Sequence, residues 1–191
     1  ISEDNMKPYA YQTTLVVVPM SLLFQWKSEF ENAMAGSSKY CEIFYGDQSQ
    51  KKNLIQHLCS NKSTPTVLLT TYGVVQSEFS KYAKVKQGNF GLFSVKFFRL
   101  VIDEGHSIRN KQTKTAKSVF ELKSSRKWVL TGTPIINKLD DLYALVRFLD
   151  LSPFSEPGFW RTSVSEPFEN KKYKAALDVV STILEPVLLR R

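Results

Sequence analysis

The sequence predicts an α/β fold built on a mainly parallel β-sheet. Short β-branched runs alternate along the chain with runs of helical periodicity, the pattern of strands joined by helical crossovers. Two of the apolar runs end in polar clusters, and in open parallel sheets ligands gather at the carboxyl ends of strands. The chain has 191 residues, 42% of them hydrophobic, enough for one well-packed domain and too few for two full ones.

The elements follow in order. Thr13 to Val18 (TTLVVV) is a continuous β-branched run stopped by Pro19. Ser21 is placed to cap a helix in which Leu22, Leu23, Trp26, Phe30, Ala33 and Met34 share one face. Tyr40 to Tyr45 reads as a second strand closed by Gly46-Asp47, and the stretch from Ser49 to Cys59 as a helix. Thr66 to Thr70 (TVLLT) is a third strand, running through Thr71-Tyr72-Gly73 into a short helix. Lys84 to Lys96 holds two glycines and an asparagine and reads as an exposed loop. Phe97 to Ile102 (FFRLVI) is a fourth strand, Gln112 to Leu122 a helix, and Lys127 to Leu130 a fifth strand. Leu139, Leu142, Tyr143, Leu145, Val146 and Leu149 mark an amphipathic helix. From Leu151 four prolines (Pro153, Pro157, Pro167, Pro186) predict irregular and helical packing outside the sheet. No internal repeat is present.

Composition narrows the class. No apolar run reaches the ~18 residues of a membrane helix, so no membrane association is expected. Cys41 and Cys59 make no disulfide framework, and with His57 and His106 they supply no zinc set, which fits a reducing, intracellular compartment. The chain opens Ile-Ser-Glu-Asp-Asn-Met without an initiator Met and reads as the middle of a longer chain. Net charge is +8. From Ser107 to Lys127 seven basic residues stand against the single acid Glu121, a patch that suits a polyanion such as nucleic acid and equally suits a solvated face.

The first polar cluster is Asp103-Glu104-Gly105-His106, directly after FFRLVI. An apolar strand delivering two adjacent acids is a Walker B arrangement. Asp103 suits Mg²⁺ held through water, since Mg²⁺ takes oxygen ligands and keeps its water. Glu104 suits the orientation or deprotonation of an attacking water. The competing reading is a strand-to-turn corner whose acids cap a helix. The second cluster, Leu130-Thr131-Gly132-Thr133-Pro134, sets two hydroxyls around a glycine at a strand end, and by itself also reads as a plain turn.

Order and spacing together resemble the superfamily-two helicases, and within them the Swi/Snf family. Asp103 to His106 matches the DEAH-like motif II, and Leu130 to Pro134 motif III. Thr14 to Trp26 (TLVVVPMSLLFQW) resembles motif Ia, and Leu69 to Gly73 (LTTYG) motif Ib. Ile108-Arg109-Asn110 resembles the basic-Asn pair after motif II, and Leu184 to Arg191 (LEPVLLRR) the segment closing the first motor lobe. The glycine in DEGH, the run Asn137 to Leu149, Phe159 to Thr162 and Glu166 to Glu169 resemble the branch that carries a RING ubiquitin ligase. Gly105 stands where the family has Ala, and Ile136 where many relatives have Gln.

The resemblance implies a RecA-like first lobe over residues 1–150, lacking the strand of the phosphate-binding loop, and a helical Swi/Snf extension over 151–191. It implies ATP and Mg²⁺ as cofactors, with Asp103 and Glu104 catalytic and Asp103, Glu104, His106, Thr131, Gly132 and Thr133 around the nucleotide. His106 reads as a coupling residue. Pro19, Ser21, Gln25, Thr71, Tyr72, Arg109, Asn110 and Lys111 become candidate contacts to the DNA backbone, although Pro19 alone can end a strand and Thr71 and Tyr72 can simply cap a helix. Trp26 reads as core rather than as a base-stacking platform. The implied activity is ATP-driven translocation on double-stranded DNA and replication forks, shared with a second RecA-like lobe, in the nucleus. The branch further implies a ubiquitin ligase, a conjugating enzyme and the sliding clamp as partners. A motor lobe kept as a non-hydrolysing platform is the alternative, and an RNA helicase is disfavoured by the Swi/Snf-like tail. No Gly-x-x-x-x-Gly-Lys-Ser/Thr occurs in the sequence, so residues 1–191 alone are expected to bind ATP poorly and hydrolyse almost none.

Overall fold

The computed structural model describes residues 7–34, 40–46, 53–60, 65–84, 91–132 and 139–189. The chain divides into two compact units, Ile1–Gly132 and Thr133–Arg191. The helix from Leu139 falls in the second unit.

The first unit is a five-stranded sheet of β1 (Tyr9–Val18), β2 (Cys41–Ile43), β3 (Val67–Thr71), β4 (Lys96–Ile102) and β5 (Ser124–Val129), in the order β2-β3-β1-β4-β5. Every pairing is parallel. In β1, Val16 and Val18 pack into a cluster with Leu23, Cys41, Val67 and Leu69. Leu15 and Val17 point the other way and are also fully buried. Burial on both faces is why this strand reads as an unbroken apolar run instead of an alternating one. Two buried threonines keep their hydroxyls satisfied by the main chain: Thr13 Oγ1 donates to Pro65 O and Thr70 Oγ1 to Phe44 O, each at 2.9 Å.

The helices of this unit are α1 (Leu23–Ala33), α2 (Leu54–Cys59), α3 (Tyr72–Lys84) and α4 (Lys114–Phe120). The connection from β1 to β2 runs toward one edge of the sheet, and the three later connections run back the other way. Right-handed crossovers therefore place α1 on one face and α2, α3 and α4 on the other. The direction reverses at β1, which makes the carboxyl ends of β1 and its neighbours the switch point where such sheets bind ligands.

Several expectations shift in detail. Ser21 does not cap α1; it lies in a 3-10 turn (Met20–Leu22), and Leu22 precedes the helix without a side-chain cap. On α1 the packed face is Leu23, Trp26 and Phe30, while Ala33 and Met34 are exposed. The helix after β3 is 13 residues long instead of short. Helix α2 starts at Leu54, with Asn53 Oδ1 accepting from Gln56 N, and the expected first turn at Ser49 lies outside the described residues. Within the expected loop from Lys84 to Lys96, Gly91–Ser94 forms a 3-10 turn.

The second unit comprises α5 (Leu139–Leu149), α6 (Pro157–Trp160), a π turn (Arg161–Ser165), α7 (Glu166–Glu169) and α8 (Tyr173–Leu184). Its core joins Leu142, Tyr143 and Val146 to Trp160, Val164, Val180 and Ile183. The rings of Tyr143 and Trp160 lie 5.3 Å apart, and Tyr143 Oη donates to Ser155 O at 3.1 Å.

Candidate nucleotide and DNA site

The acid pair leaves the carboxyl end of β4, beside the central strand β1. Main-chain bonds fix the segment on both sides: Asp103 N donates to Val17 O of β1 at 2.9 Å, and Gly105 N donates to Leu130 O after β5 at 3.0 Å. Leu130 N in turn donates to Ile102 O at 2.8 Å. The two polar clusters, 27 positions apart in sequence, are thus stitched side by side. Thr131 and Gly132 follow at this edge, Thr131 half-buried and Gly132 exposed. Thr133, expected beside the nucleotide, and Ile136 lie outside the described residues.

The two carboxylates are held differently. Asp103 Oδ1 accepts from the amide of Glu104 at 2.8 Å, and Oδ2 accepts from the indole Nε1 of Trp26 at 2.8 Å. The Asp103 main-chain carbonyl accepts from the hydroxyl of Tyr72. Glu104 adopts a left-handed backbone, φ 51° and ψ 58°, which is costly for a residue with a Cβ and recurs at functional sites. Its carboxylate is 42% exposed and meets His106 Nδ1 at 3.0 Å. The main chain therefore turns Glu104 toward solvent while Asp103 is clamped. His106 pairs with Glu104.

The donor set fits Mg²⁺. Asp103 offers a hard carboxylate whose orientation is already fixed, and among the described residues no group of three or more His, Cys, Asp and Glu gathers to hold a metal. One carboxylate, with water and phosphate oxygens for the rest, is how Mg²⁺ is ordinarily held.

The candidate DNA contacts emerge from the same end of the sheet. Pro19 follows β1 and Thr71 ends β3, with Val18 and Thr71 in register. Ser21 and Gln25 are exposed, and Pro19 is half-buried, its carbonyl accepting from Leu22 N at 3.0 Å. Thr71 and Tyr72 are buried, and their side chains are engaged within the fold: Thr71 Oγ1 accepts from Val74 N at 3.3 Å, and the Tyr72 hydroxyl is bound to Asp103. Burial pushes the Tyr72 phenol well above its usual range, with Asp103 and Glu104 adding to a rise that a hydrogen bond to Ser107 opposes. The geometry offers their rim and main chain, beside a cavity of about 430 Å³ lined also by Met20, Tyr45, Gly73 and Ser77. Asn110 and Lys111 are exposed and Arg109 half-buried. Asn110 Oδ1 accepts from Gln112 N at 3.0 Å, which turns the chain into α4, itself capped by Thr113. Of the basic stretch, Arg126 stacks on Phe98 at 4.7 Å, with Arg99 on the same ring at 4.5 Å.

The contact that Trp26 makes with Asp103 is absent from the sequence reading. Trp26 does pack with the core cluster, as expected. Its N–H, however, reaches the acid pair. The available signal was chemical: an indole on an apolar helix face needs a partner for its N–H.

The match to known proteins extends over nearly the whole chain. The SNF2-related domain matches residues 2–191. The chain belongs to the SNF2-related domain family. Within it, the chain is 56% identical over 97% of its length to DNA repair protein RAD5 of Candida albicans, and 55% identical over 99% to DNA repair protein RAD5 of Saccharomyces cerevisiae. It spans only 18% and 16% of those relatives. Among solved structures, the Sulfolobus solfataricus SWI2/SNF2 ATPase core in complex with dsDNA aligns with 95% of this chain at TM-score 0.69 and 30% identity, the chain covering 34% of it. The SWI2/SNF2 ATPase core domain from the same organism aligns at TM-score 0.65 and 31% identity, with 95% of this chain and 33% of that one covered. These matches bear out the RecA-like, Swi/Snf-type sheet expected from the motifs. No helix among the described residues is long and apolar enough to cross a membrane.

Proposed function

We propose that this SNF2 domain is the water-activating part of the first motor lobe of a double-stranded-DNA-stimulated ATPase acting in DNA repair. The observation that carries the proposal is the pair Asp103–Glu104 at the switch point, one carboxylate clamped by Trp26 and its own turn, the next held out beside His106. Mg²⁺, when bound, neutralises phosphate charge and polarises the phosphoryl group. Asp103 would hold that ion through its water shell, Glu104 would accept a proton from, or orient, the attacking water, and His106 would position Glu104. Thr131 and Gly132 close the nucleotide side next to them, and Thr133 is a further candidate nucleotide contact by its motif. Pro19, Ser21, Gln25, Arg109, Asn110 and Lys111 meet phosphates on DNA, with Thr71 and Tyr72 serving from the cavity rim. Contacts to phosphates suit a motor that tolerates any sequence.

Similarity to the RAD5 proteins supports DNA damage tolerance as the setting, and with it work at replication forks in the nucleus. On the same resemblance the parent protein carries a second RecA-like lobe and a RING ubiquitin ligase that meets a conjugating enzyme and the sliding clamp. Residues 1–191 contain no phosphate-binding loop motif, so turnover belongs to the parent protein.

The test is ATP hydrolysis by the full-length protein with and without duplex DNA, for wild type and Glu104→Gln. DNA should raise the wild-type rate, and the variant should bind ATP yet lose at least ~100-fold in kcat, the scale of a general base. Normal turnover by Glu104→Gln, or a rate indifferent to DNA, would leave the lobe as a binding platform and refute the proposal.

A further inference from the structure

The hydrogen bond from Trp26 to Asp103 spans 77 positions and joins two parts of the site that the sequence keeps apart. Trp26 lies on α1, one residue after Gln25 and within the segment that opens with Pro19 and Ser21. Asp103 is the metal-side carboxylate. The indole is partly exposed and only partly buried in the core cluster, so apolar packing does not account for all of it.

A carboxylate bound only by its own main chain can still rotate about its Cβ–Cγ bond. Here Oδ1 takes the Glu104 amide and Oδ2 takes the indole N–H, so both oxygens are anchored and the plane of the group is set. Each oxygen retains a further lone pair for water. An indole N–H only donates, so it cannot compete for the cation. Outer-shell donors of this kind orient metal-side ligands and tune their affinity.

We propose that Trp26 is a positioning residue of the ATPase site: its indole N–H fixes the Asp103 carboxylate in the orientation that holds hydrated Mg²⁺ with nucleotide. The inference rests on the assignment of Asp103 made above. It gives α1, the helix that starts from the proposed DNA-facing segment, a direct handle on the nucleotide side.

The experiment uses the full-length protein and Trp26→Phe, which keeps an aromatic ring and removes the donor. Binding of a fluorescent ATP analogue is followed against Mg²⁺ concentration, alongside the melting temperature and duplex-DNA affinity. The half-saturating Mg²⁺ concentration should rise ~10-fold, with melting temperature and DNA affinity near wild type. Trp26→His, a smaller ring that keeps an N–H, should recover part of that rise. A Mg²⁺ dependence that superimposes on wild type overturns the inference, as does an equal defect in the His and Phe variants, which would mark a packing role. Asp103→Asn separates the two layers of the argument. If it binds nucleotide with wild-type Mg²⁺ dependence, the assignment of Asp103 itself fails. If it is impaired while Trp26→Phe is normal, only the role of Trp26 falls.

Discussion

Gly91 sits where the chain enters the sheet unit's 3-10 turn before β4, with φ +54°. A Cβ added there would stand 2.0 Å from Glu78 Oε2, 3.2 Å from Glu78 Cδ and 3.5 Å from Phe44 Cζ. Glu78 is 4% exposed and ion-paired to Lys81 at 3.1 Å. Gly91→Ala therefore imposes two costs. The left-handed backbone costs an alanine ~1 kcal/mol. The carboxylate must also leave its place, and losing a charge-assisted bond at a buried acid costs ~2 kcal/mol. The sum, ~3 kcal/mol, corresponds to a melting temperature lower by ~6–12 °C for a domain of this size. Denaturant melts of wild type, Gly91→Ala, Glu78→Ala and the double variant measure it. With the carboxylate gone, Gly91→Ala should cost only its backbone share, leaving a coupling of ~2 kcal/mol between the two sites. A Gly91→Ala variant within ~0.5 kcal/mol of wild type, a change typical of a neutral surface site, would refute the reasoning. So would full additivity in the double variant.

Other outcomes are equally direct. Tyr72→Phe removes the hydroxyl that serves the Asp103 carbonyl and should cost ~1–2 kcal/mol of stability, while slowing ATP hydrolysis more than it weakens DNA binding; an equal loss of both would place the Tyr72 hydroxyl on the DNA instead. Glu104→Gly relieves the left-handed backbone and should melt no lower than wild type while abolishing hydrolysis, so a large drop in melting temperature would contradict the strain assigned to that residue. Burial raises the Cys41 thiol from 9.0 to about 11. Two pH units leave ~100-fold less thiolate at pH 8, so a thiol reagent should label native Cys41 that much more slowly than an unfolded cysteine. Because the folded pKa is the higher one, the contribution of Cys41 to stability is complete below pH 9 and fades as pH climbs toward about 11; Cys41→Ser should flatten that part of the pH–stability curve. DNA affinity should fall steeply with salt if phosphates are the contacts, and a flat salt dependence in a binding titration would argue against them.

Much of this molecule was legible because its signals are local. TTLVVV, TVLLT and FFRLVI announce strands, and the structure places β1, β3 and β4 there within a few residues. The polar clusters after β4 and β5 stood out because acids, hydroxyls and glycine are ill suited to the apolar runs before them. Errors came where local rules compete. Ser21 has the chemistry of a cap, but a 3-10 turn delays the helix, so Leu22 takes that place. Nothing local to Tyr72 announces that packing turns its hydroxyl toward Asp103.

By itself, the order of residues determined the α/β class, the strands and the acid pair, since periodicity, β-branching and turn chemistry act between near neighbours. It also carried the motifs that mark the SNF2 family. Only the tertiary structure decided which oxygen of Asp103 meets which donor, that Gly105 binds the main chain of Leu130, and that Glu104 faces solvent. Those are facts of register and approach between strands and helices far apart in the chain. The Trp26 indole shows the difference: its N–H requires a partner whatever the fold, but parallel pairing of β1 with β4, and α1 packed over them, puts the carboxylate of Asp103 2.8 Å away.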